Sequence, residues 1–420
     1  MTPHDSFAPL RLPEFRYLIA SLAVATIASR ALAVVVGYQV YELTGEPLAL
    51  GLLGLVEVIP AMTLALFGGY VADRSDRRWI MLATDAVSVA CALLFALIAW
   101  KSSFLGVELI FLVVFVAGIA RGFSDPATAA FEAQVVPREM YVRASTWQSS
   151  VWQASAIVGP MLGGLAYQLL GVVNTYLAIA LLFVIGWCFV YLIAQKPTPA
   201  ASSTESIWAN IAEGVRYVFR DQALSGSMAL DLFAVLFGGA IALLPVFAKD
   251  ILKVGAVGLG MMNAAPSIGA LLVMLWCTQH PPLRNAGRNL FLCVAGFGVT
   301  MIVFALSQNI CLSLFALAAS GACDGVSVVI RKSILRLRSP DGMRGRISSV
   351  GSIFISASNE LGAFESGVAA HYLGTIRSVW LGGVATLVVV ASVFFSAPQL
   401  RELDLTTPRR EDEITPPNVS

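Results

Sequence analysis

Pro137-Arg-Glu-Met140-Tyr-Val-Arg143-Ala-Ser145 returns, much altered, as Pro340-Asp-Gly-Met343-Arg-Gly-Arg346-Ile-Ser348. Every matched pair is separated by 203 positions (340 − 137, 343 − 140, 346 − 143, 348 − 145). The register runs back through Gly118 and Gly122, which match Gly321 and Gly325, and forward through Ser155, Gly159 and Gly164, which match Ser358, Gly362 and Gly367. Upstream, Gly54 and Pro60 match Gly260 and Pro266 at an interval of 206 (260 − 54), so a three-residue indel separates the two registers. An interval near half of a 420-residue chain points to a duplicated unit. In an apolar chain, two parallel repeats are the mark of a transporter whose halves move about a central site.

Composition supports a membrane-embedded chain. Hydrophobic residues make up 57% and charged residues 13%, against roughly half and a quarter in soluble domains. Twelve apolar windows, each long enough to cross about 30 Å of hydrocarbon, are predicted at 17–40, 49–71, 79–100, 107–131, 146–169, 173–194, 224–248, 256–277, 289–306, 309–331, 348–372 and 378–397. Most lack the polar stripe that a soluble bundle needs at helical spacing. The predicted fold is therefore all-α, with twelve transmembrane helices in two pseudo-symmetric six-helix bundles.

Net charge is +1 and says nothing about partners, and no nucleic-acid partner is expected. The distribution of charge is more informative. Twenty of the 27 Lys and Arg residues fall in the two termini and in the loops on one side. Lys101, Lys249, Lys253 and Arg377 fall in the opposite loops, and Arg30, Arg121 and Arg331 fall inside segments. The excess of cations on the termini side places both termini in the cytoplasm, as an even helix count requires. The six Cys lie in or beside apolar segments with no ligand spacing, so no metal site or disulfide framework is expected.

The halves are expected at 1–194 and 224–397. Between them, 195–223 is a cytoplasmic linker. Its stretch Ile207 to Arg220 can place Ile207, Trp208, Ile211, Val215, Val218 and Phe219 on one broad face, lying along the membrane surface. The polar tail 398–420 is expected to be disordered.

Segment 2 ends in Gly69-Tyr-Val-Ala-Asp73-Arg74-Ser-Asp76-Arg77-Arg78. Such a turn can cap a neighbouring helix through Asp73 and hold a cytoplasmic gate through Arg74, Arg77 and Arg78. At the matching place in the second half stands Gln279. Segment 5 carries Ser155-Ala-Ile-Val-Gly159-Pro160-Met-Leu-Gly163-Gly164, whose small residues let helices meet backbone to backbone around a proline kink.

These two runs resemble signatures of the major facilitator superfamily. The first resembles its loop 2–3 motif G-x-x-x-D-R-x-G-R-R, with Asp76 where Gly is usual. The second resembles the antiporter motif G-x-x-x-G-P-x-x-G-G, with Ser155 for the first Gly. Tyr41 to Gly51, Leu230 to Gly239, Met343 to Ile347 and Ser358 to Gly362 resemble the bacterial branch of enterobactin-type siderophore exporters and macrolide efflux proteins. The resemblance implies a monomeric, multi-pass protein of the bacterial inner membrane. It would use no cofactor and would be driven by the proton gradient.

Intramembrane charges are the candidate machinery, since each costs at least about 2.5–3.5 kcal/mol at a helix centre unless paired or wet. Arg121 and Asp125 are neighbours at i,i+4. Asp324 takes the place of Arg121 in the second half, and Arg331 follows it by two turns, beyond direct contact without a bridging group. Glu360 is read as that bridge or as a proton carrier, because a carboxylate in a partly dry cavity can exchange its proton near neutral pH. Arg30 and Glu57 are expected to pair across the first hairpin, while Asp85, Glu132 and Asp231 are read as solvated or capping residues. The function expected is proton-coupled efflux of an amphipathic small molecule, a siderophore or a drug-like compound. Uptake by the same fold and a transport-incompetent membrane sensor or scaffold stay open. No nucleophile–base pair or phosphate-binding loop is present in the sequence, so an enzyme is not expected.

Overall fold

In hydrocarbon a backbone N–H or C=O group has no partner but another backbone group, and apolar runs answer that constraint by becoming helices. The computed structural model describes residues 7–101, 106–197, 207–339 and 344–406. Residues 198–206 of the linker, the start of the second repeat copy at Pro340 to Met343, and the tail from residue 407 lie outside the described residues.

Short polar and Gly/Pro punctuation sets the ends of the first helices. Pro13 starts α1 (Pro13–Thr44), which stops at Gly45 in the left-handed region, and Pro47 starts α2 (Pro47–Arg74). Asp76 caps α3 (Arg77–Trp100) by accepting from the Arg78 N–H. After α4 (Val107–Val135) comes one long helical run, Tyr141–Tyr191, which is broken at Gly171 (φ 75°, ψ 169°) into α5 (141–170) and α6 (172–191). The second half holds α7 (within Gln222–Ile251), α8 (Gly255–Gln279), α9 (Ala286–Leu306), α10 (Ile310–Arg338), α11 (Arg344–Leu373) and α12 (Thr375–Ser396). Gly374 (φ 85°, ψ 149°) separates α11 from α12. Gly171 and Gly374 are themselves 203 residues apart (374 − 171), so both halves turn at the same repeat position. The described residues thus form twelve long helices in two six-helix halves, besides shorter helical pieces in the linker and tail.

The ends differ from the sequence expectation in informative ways. Several helices run past the hydrophobic windows, α10 to Arg338 and α5 from Tyr141, because a helix need not stop where hydrocarbon does. The seventh segment is not one helix. It breaks after Gly238 into a 3₁₀ turn (Ala240–Leu243), a short α turn and a π turn (Phe247–Ile251), with Gly239 off helical geometry and Pro245 within the run. The tail orders further than expected. Pro398–Arg401 is helical, Leu400 is fully buried, and the Gly287 N–H donates to the Leu403 carbonyl at 3.0 Å. Leu400 and Leu403 are spaced so that both fill the second half's core.

The linker helix Ile207–Arg220 is present. Val218 is buried against Ile347 of α11, whereas Phe219 is 67% exposed. At its C-terminal end, protein rather than membrane covers the apolar face, and Phe219 does not share it.

The cores show how the halves meet. At the end away from the termini, Val34, Tyr38, Tyr41 and Leu50 of the first half pack in one buried cluster with Leu243, Leu244, Phe247, Leu259 and Met262 of the second. At the termini end the clusters stay apart. One gathers Phe15, Leu18, Met81 and Phe131 of the first half, and another Leu224, Leu290, Ile330 and Leu400 of the second. Among the described residues, the halves share one apolar core at the distal end and keep separate cores at the terminal end.

Candidate functional site

Two helix seams join the halves, and the repeated glycines make both. On α5, Gly159 and Gly163 face α1, while Gly164 faces α8, where a Cβ would lie 2.3 Å from the Ala256 carbonyl oxygen. Gly260 of α8 returns the contact against the Pro160 carbonyl, Gln153 Nε2 donates to the Ser267 carbonyl of α8 at 2.8 Å, and the Ser155 hydroxyl donates to the Ala23 carbonyl of α1 at 3.3 Å. The counterpart seam joins α11 to α2, with Gly367 against Gly51. A side chain at these crossings would hold the backbones apart, which is why small residues recur there.

Charged side chains line the faces between these seams. Arg121 Nη1 donates to Glu57 Oε1 at 3.0 Å, and its Nε lies 3.4 Å from Asp125 Oδ2. The expected Arg30–Glu57 pair is not made. Glu57 sits where α2 crosses α4, its own carbonyl facing Gly118, so Arg121 reaches it first. Arg30 instead lays its guanidinium over the Trp152 ring at 5.3 Å. Glu360 projects from α11 onto α2, where a Cβ on Gly54 would meet its Oε2 at 2.9 Å. It feels the charges of Glu57, Arg121 and Arg30.

The second half holds its own cluster. Arg331 pairs with Asp231 of α7 and, through Nη2 at 3.3 Å, with Asp324 of its own helix. Asp324 and Arg331 therefore meet directly, without Glu360 between them. Long helical side chains lean toward the helix N-terminus, which lets the guanidinium span two turns. Asp231, read from sequence as solvated or capping, is buried and ion-paired. Its register on α7, facing α10, carried no sequence signal beyond the presence of an acid in an apolar run. Glu132, also read as solvated or capping, accepts from Gln148.

The turn after α2 bonds inward. Arg77 donates to the Ala72 and Ala130 carbonyls and lies 3.3 Å from Asp73. Arg78 donates to the Tyr191 carbonyl at 2.6 Å, at the C-terminus of α6, where a cation opposes the helix dipole. Arg74 lies over the Tyr70 ring at 3.8 Å. The helix cap expected of Asp73 is supplied by Asp76 on α3. All of these partners belong to the first half.

Distally, the halves are tied by polar contacts above the apolar cluster. Tyr41 donates to Asp250, Lys249 Nζ lies 5.5 Å over the Tyr41 ring, and Glu46 meets His371 Nδ1 at 3.1 Å. None of these contacts was expected from sequence, because the partners lie more than two hundred residues apart.

Twelve long helices in two repeat-related halves, sharing one apolar core at the distal end and carrying charged groups in the interior, define a multi-pass membrane transporter of the major facilitator superfamily. The chain belongs to that superfamily's transmembrane secretion effector family, whose model matches residues 4–420. It is 26% identical over 389 residues to the multidrug efflux pump Tap of Mycolicibacterium fortuitum, covering 88% of this chain and 92% of that one. Macrolide efflux protein A of Streptococcus pyogenes is 22% identical (93% and 98% covered), and the enterobactin exporter EntS of Escherichia coli O81 is 24% identical (94% and 95% covered). Among solved structures, a bacterial homologue of the human lysosomal transporter Spinster, inward-facing and unoccupied, superposes with a TM-score of 0.70 at 14% identity, over 95% of this chain and 98% of that one.

Proposed function

We propose that this chain is a proton-coupled exporter of amphipathic small molecules, siderophore-like or drug-like. It works by alternating access, in the bacterial inner membrane, with both termini in the cytoplasm. On this reading the terminal end, where the two cores are separate, is the cytoplasmic mouth, and the distal cluster is the closed outer gate. The protein acts as a monomer, needs no cofactor and draws on the proton gradient. The efflux relatives support export over uptake.

One observation carries the coupling. Glu360 belongs to the second half but lies on Gly54 of the first, within range of Arg30, Arg121 and Glu57. Its charge state therefore alters the attraction between the two halves. Loading a proton on Glu360 removes its attraction to the two arginines and loosens the α2–α11 seam, and releasing the proton restores it. Arg121, with Glu57 and Asp125, supplies the opposing charge, and Asp324 with Arg331 is the second half's proton-responsive group. The turn from Gly69 to Arg78 is the inner gate, and its partners among the described residues lie in the first half.

The test is substrate flux in everted vesicles under an imposed pH gradient. Glu360→Gln is expected to abolish gradient-driven accumulation while the protein stays in the membrane at wild-type level. Undiminished flux in that variant would remove Glu360 from the mechanism, and accumulation with the gradient reversed would make the protein an uptake carrier.

A further inference from the structure

Three arginines lie inside the membrane segments, and they are not equivalent. Arg121 is held by Glu57 and Asp125, and Arg331 by Asp231 and Asp324. Among the described residues Arg30 has no carboxylate within ion-pair distance. Its guanidinium lies over Trp152, which is 51% exposed. A cation over an indole face is attracted to the ring, but that contact leaves the N–H edges without acceptors. The guanidinium presents five donors in a planar fork that matches a carboxylate.

The stem of Arg30 is fixed. Gly159 packs on its Cβ, and Trp152 lies two turns before Gly159 on the same stripe of α5. That stripe faces α1, next to the stripe that meets α8, so the pair opens toward the space between the halves. Arg30 is exposed there, and Glu57 and Glu360 act on it without pairing with it. A permanent charge on exposed surface in the middle of a membrane protein is tolerated in a wet cavity. An unpaired fork beside an exposed ring in such a cavity is a ready-made place for an acid attached to a flat apolar group.

We propose that Arg30 and Trp152 form a substrate subsite for amphipathic organic anions, the guanidinium edge taking a carboxylate or similar oxyanion and the indole taking the adjoining ring. The inference rests on the export reading and narrows its substrate class to acids. It also separates the tasks of the arginines, with Arg30 for cargo and Arg121 for the carboxylates that respond to protons.

Binding of three probes of one shape tests this on the full-length protein in nanodiscs with no gradient: 2-naphthoate, its neutral amide, and 2-naphthylmethylammonium. Wild type is expected to prefer the acid to the amide by about tenfold or more, the scale of hydrogen bonds to a charged group, and to reject the cation. Arg30→Gln should erase the acid-over-amide preference, Arg30→Lys should keep part of it, and Trp152→Leu should weaken acid and amide alike. The melting temperature of each variant without probe confirms that it is folded. Equal binding of acid and amide by wild type, preference for the cation, no binding of naphthoate, or an unchanged preference in Arg30→Gln would each overturn the subsite. Because the readout is equilibrium binding, any of those results would leave the export reading to its own flux test.

Discussion

Tyr41→Phe should open the distal end. The Tyr41 hydroxyl donates to Asp250 across the boundary between the halves, and no rocking motion that parts α1 from the turn after α7 can keep this bond. A hydrogen bond to a charged group is worth about 1.5–3 kcal/mol. Its loss from the closed state therefore shifts the closed-to-open ratio by about 10- to 100-fold. Leu244 reports the shift, since it is fully buried in the distal cluster. In a background with the six native cysteines replaced, Leu244→Cys should react with a thiol reagent in detergent at a rate set by the open population. Adding Tyr41→Phe should raise that rate about tenfold or more. Tyr167→Phe is the control, because Tyr167 donates to Glu42, and both lie in the first half. That variant should leave the rate nearly unchanged. Equal rates in the Tyr41 and Tyr167 variants would show that the distal end is held by apolar packing alone, and the latch would be wrong.

Further expectations follow from other contacts. Arg331→Met leaves the buried Asp231 without its cation, a loss of about 3–5 kcal/mol that thermal unfolding should register. Pairing it with Asp231→Leu should recover much of the loss, and a double variant no more stable than the single would contradict this. Gly164→Val inserts a side chain where a Cβ already meets the Ala256 carbonyl at 2.3 Å. Overpacking of about 1–3 kcal/mol at the α5–α8 seam should cut flux with little change in expression, whereas unchanged flux would mean that the seam opens freely. Asp404 accepts from the Thr406 hydroxyl and N–H and then from the Asn285 N–H, which together hold its carboxyl below the usual carboxylate range. The folded value is lowered, so this contribution is present at neutral pH and is lost as pH falls through it. Proteolysis of the segment after Ser396 should accelerate only in acid, and Asp404→Asn should show the faster cleavage already at neutral pH.

What the sequence made legible was whatever repeats or recurs locally. The 203-residue register, the apolar windows and the glycine spacing of segment 5 are near-neighbour or periodic patterns, and they are where the helices and seams lie. Gly171 and Gly374 belonged to the same register and could have been read as paired turns. Choices between distant partners were not legible. Glu57 had two arginines within reach of any reasonable drawing, and the crossing of α2 over α4 decided for Arg121. Arg331 found Asp231 one hundred positions away, through a face of α7 that has no polar periodicity to reveal it. The break of α7 had its signal in Gly238-Gly239 and Pro245, but a continuous apolar window outweighs such punctuation when only hydropathy is read.

The two seams share a backbone design and differ in charge. On α11, Glu360 stands seven residues before Gly367 and lies on α2. The equivalent position on α5, 203 residues earlier, is Ile157, so the α5–α8 seam has no acid at that place. On the proposed reading, a proton loaded on Glu360 would weaken one seam and leave the other nearly unaffected. Under the export reading, this makes α5–α8 a pivot and α2–α11 the edge that opens and closes. The glycines permit both motions equally, because bare backbone slides as readily on either side. Direction has to come from the charges, and in this chain they lie where the repeat copies have stopped resembling one another.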